Sequence, residues 1–376
     1  MRTLVAGAAV LLLLAVGCRG GPSSSSSAKS SAAATEAPKM VASASELRVV
    51  IDPRIELLTL LFHLAGNPEY RGYPNPHLRR ADDYFKAVAD DPAVVATKSL
   101  HDQQGISHNA PASFAILLDD HYRLRAPLPP FPDGLDERWK KAPIDAYVPL
   151  LDAFATKTHF DRFLADDAGY TAKVASAFVE FLGDKPLVGW FDAAFAPRPR
   201  AVYALVPGFF TGPWNFGLHT RHPDGVEEVV QVMMLEALDH DGIPHPGDLT
   251  HGLVAHELAH TYVNPIVDQN LAVLEGPMTA AAAGVRKELA RGSYPTIPLV
   301  LYESIVRAVT VLYLRDRGSP GAAAKSLAEQ VKESFLWTGE LADALDPVRK
   351  KNGGRWPTAD LVDTTRRTLD AWAKAH

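Results

Sequence analysis

The pentapeptide His256-Glu257-Leu258-Ala259-His260 constrains this chain more than any other feature. Two imidazoles four residues apart act together on an α-helix, where that spacing sets them one turn apart on one face. Glu257, one residue on from His256, points about 100° around the same helix. It can reach a water held by an ion between the histidines without ligating that ion. The pattern predicts a helix from Thr250 to Val263, with Thr250 as its cap, Leu253, Val254 and Leu258 as apolar positions, and Pro265 as its end. The motif would arise in about 2% of shuffled chains of this composition, so two surface histidines on an ordinary amphipathic helix is the weaker reading.

A catalytic zinc takes three protein ligands and leaves the fourth position to water. The chain has a single cysteine, Cys18, which removes both a disulfide framework and a thiolate-rich site. A metzincin-type extension is also excluded, because Val263 stands where glycine is needed and Ile266 where a third histidine would stand. The third ligand is therefore sought among carboxylates. Leu299 to Leu314 is an apolar helical stretch after Pro298, and Glu303 and Arg307 are its only charged residues. An unpaired carboxylate buried there would cost several kcal/mol, so Glu303 needs a cation. Zinc would supply one, with Arg307 orienting the carboxylate; a simple pair with Arg307, four residues on, is the competing reading. Glu303 is the expected ligand, with Glu275 and Asp268 as alternatives; Glu275 precedes Gly276-Pro277, which reads as a loop or helix end. His219, His222, His240, His245 and His251 read as loop or cap residues. Tyr262, Tyr302 and His219 are candidates to stabilise an oxyanion, and the residues do not choose among them.

The rest of the 376-residue chain frames that helix. Hydrophobic residues make up 47% and charged residues 22%, enough for a large buried core. A net charge of -6 without any basic run excludes nucleic acid as a partner. Leu4 to Val16 reads as a signal-peptide core, and Leu14-Ala15-Val16-Gly17-Cys18 as a lipobox, so residues 1–18 predict membrane attachment through a lipidated Cys18. Residues 19–46, rich in Ser, Ala, Gly and Pro, read as a flexible tether. The body spans 47–376 and is open to division into a helical N-terminal subdomain, 47–200, and the rest. Its strands are expected at Leu47 to Ile51, Ala201 to Val206 and Val226 to Met234. Helices are expected from Ile55 to Ala65 and around Ala81 to Ala89, Ala112 to Tyr122, Ile144 to Phe154 and Tyr170 to Leu182, with the Pro127 to Pro132 run as a loop. Pro207 to His219 is a Gly and aromatic stretch in which Asn215 to Leu218 reads either as an edge strand accepting substrate or as a packed loop. The fold class is α+β, a mainly helical body with a small sheet next to the HExxH helix. The sequence carries no signal for oligomeric state.

His256-Glu257-Leu258-Ala259-His260-Thr261-Tyr262-Val263-Asn264-Pro265, with Asp52-Pro53-Arg54-Ile55-Glu56-Leu57-Leu58 and Ala65-Gly66-Asn67-Pro68-Glu69-Tyr70, resembles the bacterial domain-of-unknown-function family 4932 over roughly residues 47–314. The resemblance implies a zincin-like peptidase of the bacterial envelope. In zincins with a glutamate ligand that residue lies on a later helix, a pattern to which Tyr302-Glu303-Ser304-Ile305-Val306-Arg307 is similar. The expectation is a zinc-dependent hydrolase acting on a peptide or protein substrate, with His256, His260 and Glu303 on the metal and Glu257 as general base. A zinc hydrolase of another bond, and an envelope lipoprotein that binds a partner without turnover, are the rivals.

Overall fold

Three early helices start the same way, and their sequences show why. Asp52-Pro53, Asn75-Pro76 and Asp91-Pro92 each place a capping side chain before a proline that needs no hydrogen-bond partner. The caps accept the backbone N–H of Arg54, Leu78 and Ala93 at 2.9, 2.9 and 3.0 Å. A computed structural model describes residues 40–44 and 47–376, apart from 72, 73, 133, 184, 185, 199, 247 and 293. The signal segment and Cys18 lie outside the described residues.

In chain order the elements are β1 (Met40–Ala44), β2 (Leu47–Val50), α1 (Pro53–Leu64), α2 (Pro76–Tyr84), α3 (Pro92–Gln104), α4 (Asn109–Ala115), α5 (Ile144–Thr158), α6 (Phe160–Asp166), α7 (Ala168–Leu182) and α8 (Leu187–Ala194). There follow β3 (Ala201–Gly208), β4 (Phe216–Arg221), β5 (Glu227–Met234), α9 (Asp248–Ala281), α10 (Arg286–Arg291), α11 (Ile297–Asp316), α12 (Pro320–Lys332), α13 (Thr338–Lys351) and α14 (Thr358–Ala375). The architecture is α+β, helical for the most part, around one mixed sheet. β1 lies inside the stretch read from composition as a tether.

The sheet runs β1-β2-β3-β5-β4. β2, β3 and β5 are parallel neighbours, and β1 and β4 close the two edges antiparallel to theirs. β5 is central and buried along seven of its eight residues, as a strand covered on both faces must be. β4 alternates instead: Phe216, Leu218 and Thr220 turn inward, while Gly217, His219 and Arg221 are exposed. Asn215 to Leu218 thus leads into an edge strand.

Three helices depart from their expected ends. The segments around Ala81 to Ala89 and Ala112 to Tyr122 end earlier, at Tyr84 and Ala115. α9 passes through Pro265 rather than ending there, continuing to Ala281 with one non-helical residue, Asn270. Pro265 has no N–H for the carbonyl of Thr261, four residues back, and the Arg198 guanidinium donates to that oxygen instead. The helix therefore loses no buried acceptor, and Glu275 stands exposed on α9 rather than in a loop.

α11 is long and apolar enough to cross a bilayer, yet it lies in the core and packs against α9, α12 and α13. It runs antiparallel to α9: Leu314 lies by Gly252, where an added Cβ would come within 3.3 Å of its Cδ1, while Tyr302 donates to Asp268. Buried charges also tie α1 to the sheet. Arg54 pairs with Asp52 at 2.6 Å and Glu228 at 2.5 Å, and His222 donates to Glu228 at 2.7 Å. Beside them His77, fully buried, bridges Asp167 and Glu56.

Candidate metal centre

The antiparallel pairing of α9 and α11 brings the two halves of the centre together. His256 and His260 lie one turn apart on α9, and Glu303 comes from α11 across the interface. His256 Nε2 and His260 Nε2 are 3.3 Å apart. Glu303 Oε2 lies 3.5 Å from the first, and its Oε1 3.4 Å from the second. Donors bonded to one zinc at about 2.0–2.1 Å and tetrahedral angles stand about 3.3–3.4 Å from each other. The nearest donor pairs have that spacing, each histidine of the triangle facing a different oxygen of Glu303.

Two of the three donors already have the electronic state that a cation needs. Burial pushes the His256 imidazole down to about 3, against the attraction of Glu303, so it is neutral and offers a lone pair. Burial acts the same way on His260, but the Glu303 carboxylate, 3.4 Å away, outweighs it and raises the ring. Binding a dication displaces that proton. His260 Nδ1 donates to Asn264 Oδ1 at 3.1 Å, which leaves Nε2 facing the centre. Burial would raise Glu303, yet Arg307 and the two histidines hold its carboxylate well below its ordinary range.

Arg307 does not exhaust Glu303. Its Nε donates to Oε2 at 2.9 Å, but its other nitrogens serve Tyr294 Oη at 2.8 Å, Glu333 at 2.7 Å and Gln330. One guanidinium is thus shared between two carboxylates. Glu303, fully buried, has no hydrogen-bond partner among the described residues at Oε1, the oxygen that faces His260. A divalent cation would supply both the missing charge and the missing contact. Zinc fits the two nitrogen donors and one oxygen donor.

Glu257 is built differently. It is 2% exposed, stays outside the triangle, and has no partner at Oε1 among the described residues. Burial pushes its carboxyl up to about 7, with His260 and the N–H of Gly217 working against that rise. A carboxyl near 7 can take and return a proton at neutral pH, and a bound dication would lower the value further.

The other candidates lie elsewhere. Glu275 is exposed, and Asp268 is occupied by the Tyr302 hydroxyl. Tyr262 donates to Asp192 at 2.7 Å and meets Tyr203 at 2.9 Å. Both tyrosines weighed for the oxyanion are therefore engaged away from the triangle. His219 stands on the exposed face of β4, two residues beyond Gly217. His222 pairs with Glu228, His251 packs on Phe181 beside Arg317, and His240 and His245 sit in an exposed turn with Asp239 and Asp241. Gly217 is the site residue that sequence reasoning missed. No signal within β4 marks it, since the strand alternates regularly through it; the cause lies on another element.

The chain matches no curated protein and no solved structure. The family described as a domain of unknown function, DUF4932, matches residues 131–360, more than half of the chain. That span begins after the Asp52 to Leu58 and Ala65 to Tyr70 motifs and reaches beyond Leu314, later at both ends than the resemblance read from those motifs. It contains α9, α11 and every residue of the triangle, and on this match the chain belongs to the DUF4932 family.

Proposed function

We propose that this protein is a zinc-dependent hydrolase, a metallopeptidase, in which His256, His260 and Glu303 hold the metal and Glu257 is the general base. The observation that carries the reading is a cluster of metal donors, His256 Nε2 and His260 Nε2 3.3 Å apart with a Glu303 oxygen 3.5 and 3.4 Å from each in turn, next to a buried carboxyl whose Oε1 has no partner among the described residues. Zinc, when bound, supplies a lowered pKa to a coordinated water and a Lewis acid for a carbonyl oxygen. Glu257 accepts the water proton and hands it to the leaving amine. Asn264 fixes the tautomer of His260, and Arg307 fixes the direction of Glu303. The edge strand β4, whose residue Gly217 touches Glu257, offers an extended peptide a place beside the base.

Glu257→Gln tests this directly. The variant should keep one equivalent of zinc and lose about 10²-fold or more of turnover on fluorescently labelled casein. Equal turnover in both proteins would remove Glu257 from the chemistry. Hydrolysis of ester or non-peptide amide substrates with no cleavage of casein would keep the zinc and change the bond. An envelope location belongs to the same proposal and rests on Leu14 to Cys18. Cys18→Ser should move the protein from the membrane fraction to the soluble one.

A further inference from the structure

We infer that Gly217 is a positioning residue for Glu257: the bare Cα of this edge-strand glycine keeps open the space the carboxylate occupies, and its N–H sets the carboxylate's direction. The inference rests on the reading of Glu257 as general base. Glycine weakens a strand interior, so its presence there needs a cause. The backbone is not that cause, because the φ of Gly217 lies outside the left-handed region. Core crowding is not the cause either, since Gly217 is on the exposed face of β4.

What remains is one neighbour. A Cβ built on Gly217 would lie 2.7 Å from Glu257 Oε2, 3.4 Å from its Cβ and 3.5 Å from its carbonyl oxygen, and these are its three nearest atoms. Real side chains do not approach to 2.7 Å, so alanine at 217 must displace the carboxylate. The same carboxylate receives the Gly217 N–H and has no partner at Oε1. Among the described residues its direction therefore hangs on a single backbone donor and on the absence of a methyl group beside that donor.

The test is a four-protein cycle of the full chain: wild type, Gly217→Ala, Glu257→Ala and the double variant. In the metal-free state, Gly217→Ala should lower the thermal midpoint by a few degrees when Glu257 is present and leave it unchanged when residue 257 is alanine. Loaded with cobalt(II) in place of zinc, all four should bind about one equivalent. The visible absorption of Gly217→Ala should shift from that of wild type in the direction of Glu257→Ala, with no further change in the double variant. Zinc-loaded Gly217→Ala should lose at least about tenfold in kcat on labelled casein, with KM within about threefold. A cobalt spectrum identical to wild type, or the same thermal loss in both backgrounds, would overturn the inference. Should wild type leave casein intact while the spectral coupling holds, the peptidase reading fails and the positioning contact stands.

Discussion

Glu303 shows how much one side chain can disclose before any coordinates exist. A lone acid among apolar residues on a helix must meet a cation, and in the fold it meets Arg307 on one oxygen and the histidine pair on both. Glu303→Ala should therefore lose bound zinc by elemental analysis, while Glu275→Ala, altered on the exposed side of α9, should keep it. Asn264→Ala should weaken zinc binding by about 10–100-fold in a competition with a chromogenic chelator, because His260 loses the acceptor that fixes its tautomer. Glu257 carries a cost in the metal-free protein. Its folded value, about 7, lies above the ordinary 4.5, so its contribution is fully present below 4.5 and is lost as pH rises through 7. Metal-free Glu257→Gln should then gain up to about 3 kcal/mol on wild type between pH 5 and 8 in urea melts. Gly217 was not legible in the same way. Its reason for being a glycine lies on a helix forty residues away, and no spacing within β4 encodes it.

At the level of elements, periodicity reported what each segment buries and missed what its neighbours supply. α11 was readable because its apolar run and its two charges are internal to it. The strand β5 was readable for the same reason, being a valine-rich run buried on both faces, and β3 by its short apolar run, buried from Leu205 onward although Val202 is exposed. The continuation of α9 past Pro265 was not, because a proline ends a helix only if its orphaned carbonyl stays orphaned, and the remedy is Arg198, more than sixty residues earlier. Arg198→Ala should cost about 1–3 kcal/mol in chemical denaturation. It should also speed amide exchange near Thr261, at the end of the helix that carries both histidines. β4 was half legible: glycine and aromatics obscured the alternation that the sheet then imposes.

Across the whole molecule, charge buried between parts decides how the fold responds to acid. Arg54 links α1 to β5 through Glu228, and Arg54→Ala should destabilise by about 3–5 kcal/mol, since it leaves two carboxylates buried without their cation. Burial would raise Glu228, but His222 and Arg54 lower it to about 2. Its stabilising contribution, about 3 kcal/mol, is complete above the ordinary 4.5 and disappears as pH falls toward 2. Glu56, which burial raises, works in the opposite sense, so acid melts of Arg54→Ala should lose the steep portion seen in wild type over that window. Arg307 extends the reach of the centre in another direction. Its guanidinium touches Glu303 with one nitrogen and Gln330 and Glu333, at the far end of α12, with others. Stripping the cation with a chelator would hand Arg307 back to Glu303 more completely and slacken its grip on Gln330 and Glu333. The occupancy of the centre would then be written into how quickly the C-terminal third of the chain is cut by an added protease.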